Sequence, residues 1–302
     1  MKLGDYGSRP FMFKIQLLSV EKKLKRTLLA LDLQPKLTQM ETGVTDIPSV
    51  KVNPTGLLLR WDEREVQWAW VVKNSSDSES GNAFSFGSRK VNNISMLPEV
   101  VRALKGRYKS VNQVVYSKRF APSTIVPAIV IDNDANAAVK WFKFHHASAG
   151  DVVTRVSHLD SVDGEPVFVE GIDEVWDKAV LGAFPQAMAV IQSAALMDIA
   201  VGISRQNTEF WVVVVDAGEN GADLVAASGG KGVWNSVAAG GDVDGVLYSV
   251  VNAMHRADIK PENVMVMLSG EGLDGLEKTF KRFFNTVENL GQTPMEGLKI
   301  LA

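Results

Sequence analysis

Apolar and polar positions alternate most legibly between Glu209 and Phe280. The run EFWVVVVD predicts a strand buried on both faces, closed by the turn AGENGA and followed by a second strand, DLVAASG. A GGKG turn, a third strand VWNSVA and the pair Gly240-Gly241 come next. DVDGVLYSVVNAM then has a helical period, NVMVMLSGEG predicts a strand that ends in glycines, and LDGLEKTFKRFF predicts a helix over 273–284.

Upstream the pattern is similar but looser. Leu17, Val20, Leu24, Leu28 and Leu31 fall on one helical face, with the basic run KKLKR largely on the other. Such a helix lies on a membrane surface, docks on a partner, or presents only a solvated face to water. Pro35, Gly43, Pro48 and Pro54 mark an irregular connector. GLLLRW and EVQWAWVV predict a hairpin around Asp62-Glu63-Arg64, and the polar tract NSSDSESGN predicts a loop. A helix over 96–108, with Pro98 in its first turn, leads to a strand over 111–117. PSTIVPAIVI precedes a helix near Asn133–Val139 and an expected strand KWFKFHH over 140–146. VVTRVSHLD, VFVEGI and MAVIQSAAL read as strands, alternating with helices such as DEVWDKAVLGAF. Both halves therefore open on strand hairpins, at 57–72 and 209–237, and continue with a helix and a strand.

Composition narrows the chemistry more than the fold. The 302 residues include no cysteine, which excludes disulfides, thiolate metal sites and a cysteine nucleophile. A net charge of −3 gives no sign of a nucleic-acid groove. No window approaches the roughly 20 apolar residues of a membrane span, and the first residues lack a signal-peptide pattern, so a cytoplasmic location is expected. His145 and His146, placed on an expected strand, would point to opposite faces and could not chelate one metal together. No metal site and no catalytic constellation are expected. Trp68 and Trp70 share one strand face, which points to a core or an interface.

Three turns carry the remaining chemistry. Asp216 ends a strand two residues before Gly218; an aspartate so placed can hold hydrated magnesium while glycine admits phosphate to backbone N–H groups. Glu219 and Asn220 stand where small hydroxyl residues would suit phosphate, and both Asp-x-Gly and Asn-Gly are also ordinary hairpin residues. Gly240 and Gly241 precede a helix, where an anion could sit, but Asp242 is itself an N-cap that would use those donors. Gly270 and Gly272 flank Glu271 between a strand and a helix, a turn that lets a nucleotide lie against backbone or merely reverses the chain.

The segments VNQVVYSKRF…STIVPAIVI, AFPQAMAVIQSAALMD and PENVMVMLSGEG, with the hairpins from Phe210, resemble an uncharacterised Bacteroidota family, domain-of-unknown-function family 3822. The pattern VDAGENGADLV…AAGGD…LSGEG is also similar to actin-like cytoplasmic proteins of pilus assembly and type II secretion. The resemblance covers roughly residues 55–285. It implies an α/β protein of the actin-like ATPase (ribonuclease H-like) fold, with two similar subdomains, each a mixed β-sheet flanked by helices. An N-terminal extension over 1–54 would precede subdomains over 55–200 and 201–302. In a working member the first hairpin carries Asp-x-Gly-Thr or Ser; here the corresponding residues are Arg60-Trp61-Asp62-Glu63-Arg64, with two bulky side chains in the phosphate space.

Two functions follow from the resemblance. One is a non-catalytic scaffold or protein-binding module, with a protein partner or a second copy, no nucleic acid and no required cofactor. The other is an ATP-binding protein or weak ATPase of the actin and sugar-kinase class, holding magnesium-ATP through Asp216, Gly218, Gly240, Gly241, Gly270 and Gly272. Attachment to a peripheral membrane complex through residues 1–33 is a third expectation.

Overall fold

The computed structural model describes residues 54–73, 82–107, 111, 113–132, 134, 136–147, 152–159, 166–291 and 296–301. The amphipathic helix expected over Leu17–Leu31 and the loop expected over 74–82, apart from Asn82 at the start of a strand, lie outside the described residues.

Strands β1 (Gly56–Trp61), β2 (Glu65–Lys73) and β3 (Asn82–Lys90) form an antiparallel meander. Helix α1 (Leu97–Arg107) leads to β4 (Gln113–Lys118), which pairs parallel to β1. Next come β5 (Ser123–Val126), the helices α2 (Ala128–Asp132) and α3 (Ala137–His145), then β6 (Thr154–His158) and β7 (Val167–Gly171). Helix α4 (Glu174–Ala183), the short strand β8 (Met188–Ala189) and helix α5 (Gln192–Gln206) complete the first half. The second half runs β9 (Trp211–Gly218), β10 (Gly221–Ser228), β11 (Lys231–Ala239), α6 (Val243–Arg256), β12 (Val264–Gly270), α7 (Leu273–Phe280), β13 (Thr286–Asn289) and α8 (Glu296–Lys299).

Two five-stranded sheets share one topology, β3-β2-β1-β4-β8 and β11-β10-β9-β12-β13, with the meander on one side and parallel strands on the other. The expected similarity of the halves is thus a repeated strand order. A three-stranded antiparallel sheet, β5-β7-β6, carries α3 on one face, where Phe142 packs among Val126, Val167 and Val169.

Alternation explains where the large sheets bury their faces. In β1, Leu57, Leu59 and Trp61 face α1 and α4, whereas Leu58 faces Leu298 of α8 and Leu301 just after it. In β9, Val213, Val215 and Ala217 face α6 and α7, while Val212 and Val214 face α5. Strands covered on both faces lose their polar phase, which is why LLL in β1 and WVVVV in β9 are continuous apolar runs. Each buried valine or leucine contributes about 1.5–3 kcal/mol by leaving water. Trp68 and Trp70 join the first core. Its centre is Trp176 of α4, stacked on Trp61 at 6.2 Å and edge-on to Tyr116, with its indole Nε1–H donating to the Ser117 carbonyl at 3.0 Å.

Several elements differ from expectation. Residues 140–146 are not a strand but most of α3: Ala138 and Phe142, four residues apart, bury one helical face, and the alternation of KWFKF mimics a strand by accident. His145 stacks on Trp141 and His146 lies against Phe142, both at i+4 spacing. MAVIQSAAL yields only the two-residue β8 before α5 begins at Gln192. The final helix stops at Phe280, and β3 and β13 extend the sheets beyond the expected strands. The β10–β11 turn holds Gly229 and Gly230 at φ of 56° and 78°, the pair of left-handed residues that a type I′ hairpin needs.

Replacing Trp176 by alanine should lower unfolding free energy by about 3–5 kcal/mol, through lost burial and the cavity left behind. Urea denaturation followed by far-UV circular dichroism measures it, and Trp176→Phe should lose clearly less.

Candidate functional site

The strand registers gather a buried polar cluster where β1 and β9 end. Arg60 follows Leu58 onto the inner face of β1, and Asp216 follows Val212 and Val214 onto the inner face of β9. Both side chains are fully buried, and Arg60 Nη1 donates to Asp216 Oδ2 at 2.9 Å. Cross-strand neighbours supply the rest. Gln67, opposite Arg60 on β2, accepts from Arg60 Nε at 2.8 Å. Ser269, opposite Asp216 on β12, donates from Oγ to Asp216 Oδ1 at 3.1 Å. Gln192, at the start of α5, reaches Asp216 Oδ2 from Nε2 at 3.4 Å and accepts from Ser117 Oγ at 2.7 Å.

A second buried guanidinium comes from the turn after β4. Arg119 Nη2 donates to the Asp216 carbonyl at 3.3 Å and lies 3.5 Å from its carboxylate. Its Nη1 is 3.9 Å from Glu271, an ion pair too long for a hydrogen bond, and both Nη1 and Nε lack a hydrogen-bond partner. The next residue, Phe120, has φ of 55°. That strained backbone is held by Asp223, opposite Asp216 on β10, whose carboxylate accepts the Phe120 N–H at 3.1 Å.

Electrostatics follow from burial and pairing. Burial pushes the Asp216 carboxyl up, but Arg119 and Arg60 together hold it below the usual carboxylate range. Burial, then the neighbouring Arg119, pull the Arg60 guanidinium down to about 10. Asp223 has no such grip: burial and the adjacent Asp216 charge push it up to about 7. Glu271 is raised as well, chiefly by burial. Glu170 on β7 is pushed up to about 8, mostly by burial. Arg155 donates from Nη1 to Glu170 Oε1 at 3.4 Å and, more closely, from Nη2 to Asp177 at 2.7 Å, while Glu170 Oε2 has no partner.

The residues singled out by sequence fall into two groups. Gly218, Gly241 and Gly270 close around the Asp216–Glu219 backbone. A Cβ on Gly218 would lie 2.6 Å from Arg119 Nη1, one on Gly241 would strike the Glu219 carbonyl, and one on Gly270 (φ 99°) the Ala217 carbonyl. Gly240 and Gly272 instead serve the chain reversals before α6 and α7, away from the carboxylate. Asp242 is the N-cap of α6, accepting the Gly245 N–H at 2.7 Å. Of the two bulky side chains expected in the first hairpin, Arg60 enters the site but Trp61 faces the opposite core. The turn itself is an Asx turn in which Asp62 Oδ1 accepts the Arg64 and Glu65 N–H groups, with Glu63 at φ of 77°.

Sequence reasoning missed Arg119, Gln192, Asp223 and Ser269, all buried. A signal existed for Arg60: it is a cation near the end of an otherwise apolar buried strand, and such a cation needs an internal partner. No cluster of histidine, aspartate or glutamate suited to a metal occurs among the described residues.

Removing one partner of a buried ion pair leaves the other uncompensated, so Arg60→Met should lose about 3–5 kcal/mol in urea denaturation. A double-mutant cycle with Asp216→Asn should report a coupling of about 1–3 kcal/mol. Glu170, neutral in the folded chain but ionised when unfolded, gives stability that is complete below about pH 4.3 and lost as pH rises through about 8. The melting temperature should therefore fall between pH 6 and pH 9, and Glu170→Gln should flatten that slope.

No family model matches the chain, and no curated protein matches it by sequence. Solved structures match it by shape. One is a Bacteroides thetaiotaomicron protein described as having an actin-like ATPase fold and unknown function. It matches at TM-score 0.65 and 14% identity, over 84% of this chain and 98% of that one. The PilM-PilN type IV pilus biogenesis complex matches at TM-score 0.52 and 17% identity, over 80% and 89%. The ethanolamine utilization protein EutJ of Carboxydothermus hydrogenoformans matches at TM-score 0.44 and 14% identity, over 83% and 89%. With the duplicated sheets described above, the likenesses to the Bacteroides protein and to the PilM complex give the chain an actin-like ATPase fold.

Proposed function

We propose that the protein is a non-catalytic, protein-binding member of the actin-like fold, a scaffold in a cytoplasmic assembly and kin to the Bacteroidota family named above. The observation that carries this reading is the Arg60–Asp216 ion pair. In the ATP-binding arrangement the aspartate faces hydrated magnesium, which keeps several waters in near-octahedral geometry and needs open space. Here Arg60, Gln192 and Ser269 engage the carboxylate oxygens, and Arg119 lies over Gly218. Magnesium-ATP does not fit these residues as they stand. Two internal cations do for the buried carboxylate what a metal would otherwise do.

Two observations support a protein partner. The PilM structure is of a complex with PilN, a protein. An open depression of about 470 Å3 is lined by the apolar Val153, Ile172, Leu181 and Gly182 and the charged Glu174, Asp177 and Lys178. Val153 and Leu181 are exposed there. Such a surface suits a short amphipathic segment of another protein. Among the described residues no helix is long and apolar enough to cross a membrane. The competing reading, weak ATP binding, draws on Gly218, Gly241 and Gly270, which still surround the Asp216 strand end.

Isothermal titration with magnesium-ATP separates the two. The scaffold reading expects no heat of binding at millimolar nucleotide, with wild type and Asp216→Asn alike. Micromolar binding that disappears in Asp216→Asn would establish the ATP-binding reading instead. On the partner side, Leu181→Asp should abolish crosslinking to co-purifying protein while leaving the melting temperature within about 2 °C, because a surface substitution changes stability by under about 0.5 kcal/mol.

A further inference from the structure

Helix α8 sits directly on the cluster. Gly297 is so close that a Cβ there would lie 2.5 Å from Arg60 Nη1 and 2.8 Å from Asp216 Oδ1. Only a residue without a side chain can cover the ion pair this tightly. The same short segment is anchored on both sheets, with Ile300 packed against the core of each. Leu298 and Leu301 enter the core lined by Leu58, Ala69, Val71 and Val115. Lys299 lies over the rings of Phe84 and Phe86, at 5.6 and 5.7 Å, on the edge strand β3. Beside Asp216, Arg119 is fully buried and still has two N–H groups, Nε and Nη1, without hydrogen-bond partners.

We propose that α8 is a releasable strap: it seals the Arg60–Asp216–Arg119 cluster, and its detachment uncovers the two guanidiniums while both sheets stay folded. A four-residue helix has no stability of its own in water, so its place depends on its tertiary contacts. Neither sheet uses α8 for strand pairing, which runs through β3-β2-β1-β4-β8 and β11-β10-β9-β12-β13. Local opening of such an element requires far less than global unfolding. The inference stands apart from the choice between scaffold and ATP-binding protein, since it concerns access to the cluster and not what enters it.

Arginine modification by phenylglyoxal, mapped by peptide mass spectrometry on the full-length protein, reads that access directly. In wild type, Arg60 and Arg119 should react slowly but at a rate unchanged by low urea, the mark of local opening. Gly297→Val, whose side chain cannot fit over the ion pair, should speed modification of both at least tenfold while the cooperative urea transition persists. Lys299→Ala, which loosens the anchor without crowding the cluster, should give a smaller acceleration in the same two residues. If Gly297→Val fails to fold, the wild-type urea dependence and Lys299→Ala decide. Modification that tracks global unfolding in wild type and is unaltered by Lys299→Ala overturns the proposal.

Discussion

The ion pair between Arg60 and Asp216 is the constraint around which the two large sheets are arranged. It joins an inner-facing position near the end of β1 to one near the end of β9, strands at the centre of different sheets. A charge pair so fully removed from water is held at a large desolvation cost, offset only when geometry and further hydrogen bonds are good. The registers meet that demand, because Gln67, Ser117 and Ser269 each lie directly across from a member of the pair. A shift of one residue in any of these strands would turn its polar side chain to the opposite face. The pair thereby sets strand register and the approach of the two halves together.

Charge around the pair is balanced by proton retention as well as by pairing. Two guanidiniums face Asp216, Asp223 and Glu271, and the carboxyls without a close cation keep their protons more readily. Glu170, beside Arg155, follows the same rule farther out in the small sheet. Buried acids adopt the protonation state that the nearest cation permits, and here the cations are spent mainly on Asp216 and Asp177.

Much of this was legible in the sequence, for physical reasons that also mark where legibility ended. Buried strands such as WVVVV, glycine turns and the Asp242 cap are local signals, and the structure has strands, turns and a cap there. The actin-like order of strands followed from those elements. KWFKFHH failed because a helix with one buried aromatic and neighbouring lysines can mimic alternation over a few residues. Asp216 drew attention as a ligand-binding strand end, but its partner Arg60 is 156 residues away. A contact at that separation leaves no periodic trace in one sequence. Only the oddity of arginine inside GLLLRW hinted at it.

The ion pair has one further thermodynamic consequence. A small molecule that fills a cleft stabilises a protein in proportion to the logarithm of its concentration, so the folded population follows the supply. Arg60 is covalently part of the chain, present at one copy per carboxylate at every dilution. Whatever rigidity it gives the junction of β1 and β9 is constitutive, set when the chain folds and independent of cellular metabolite levels.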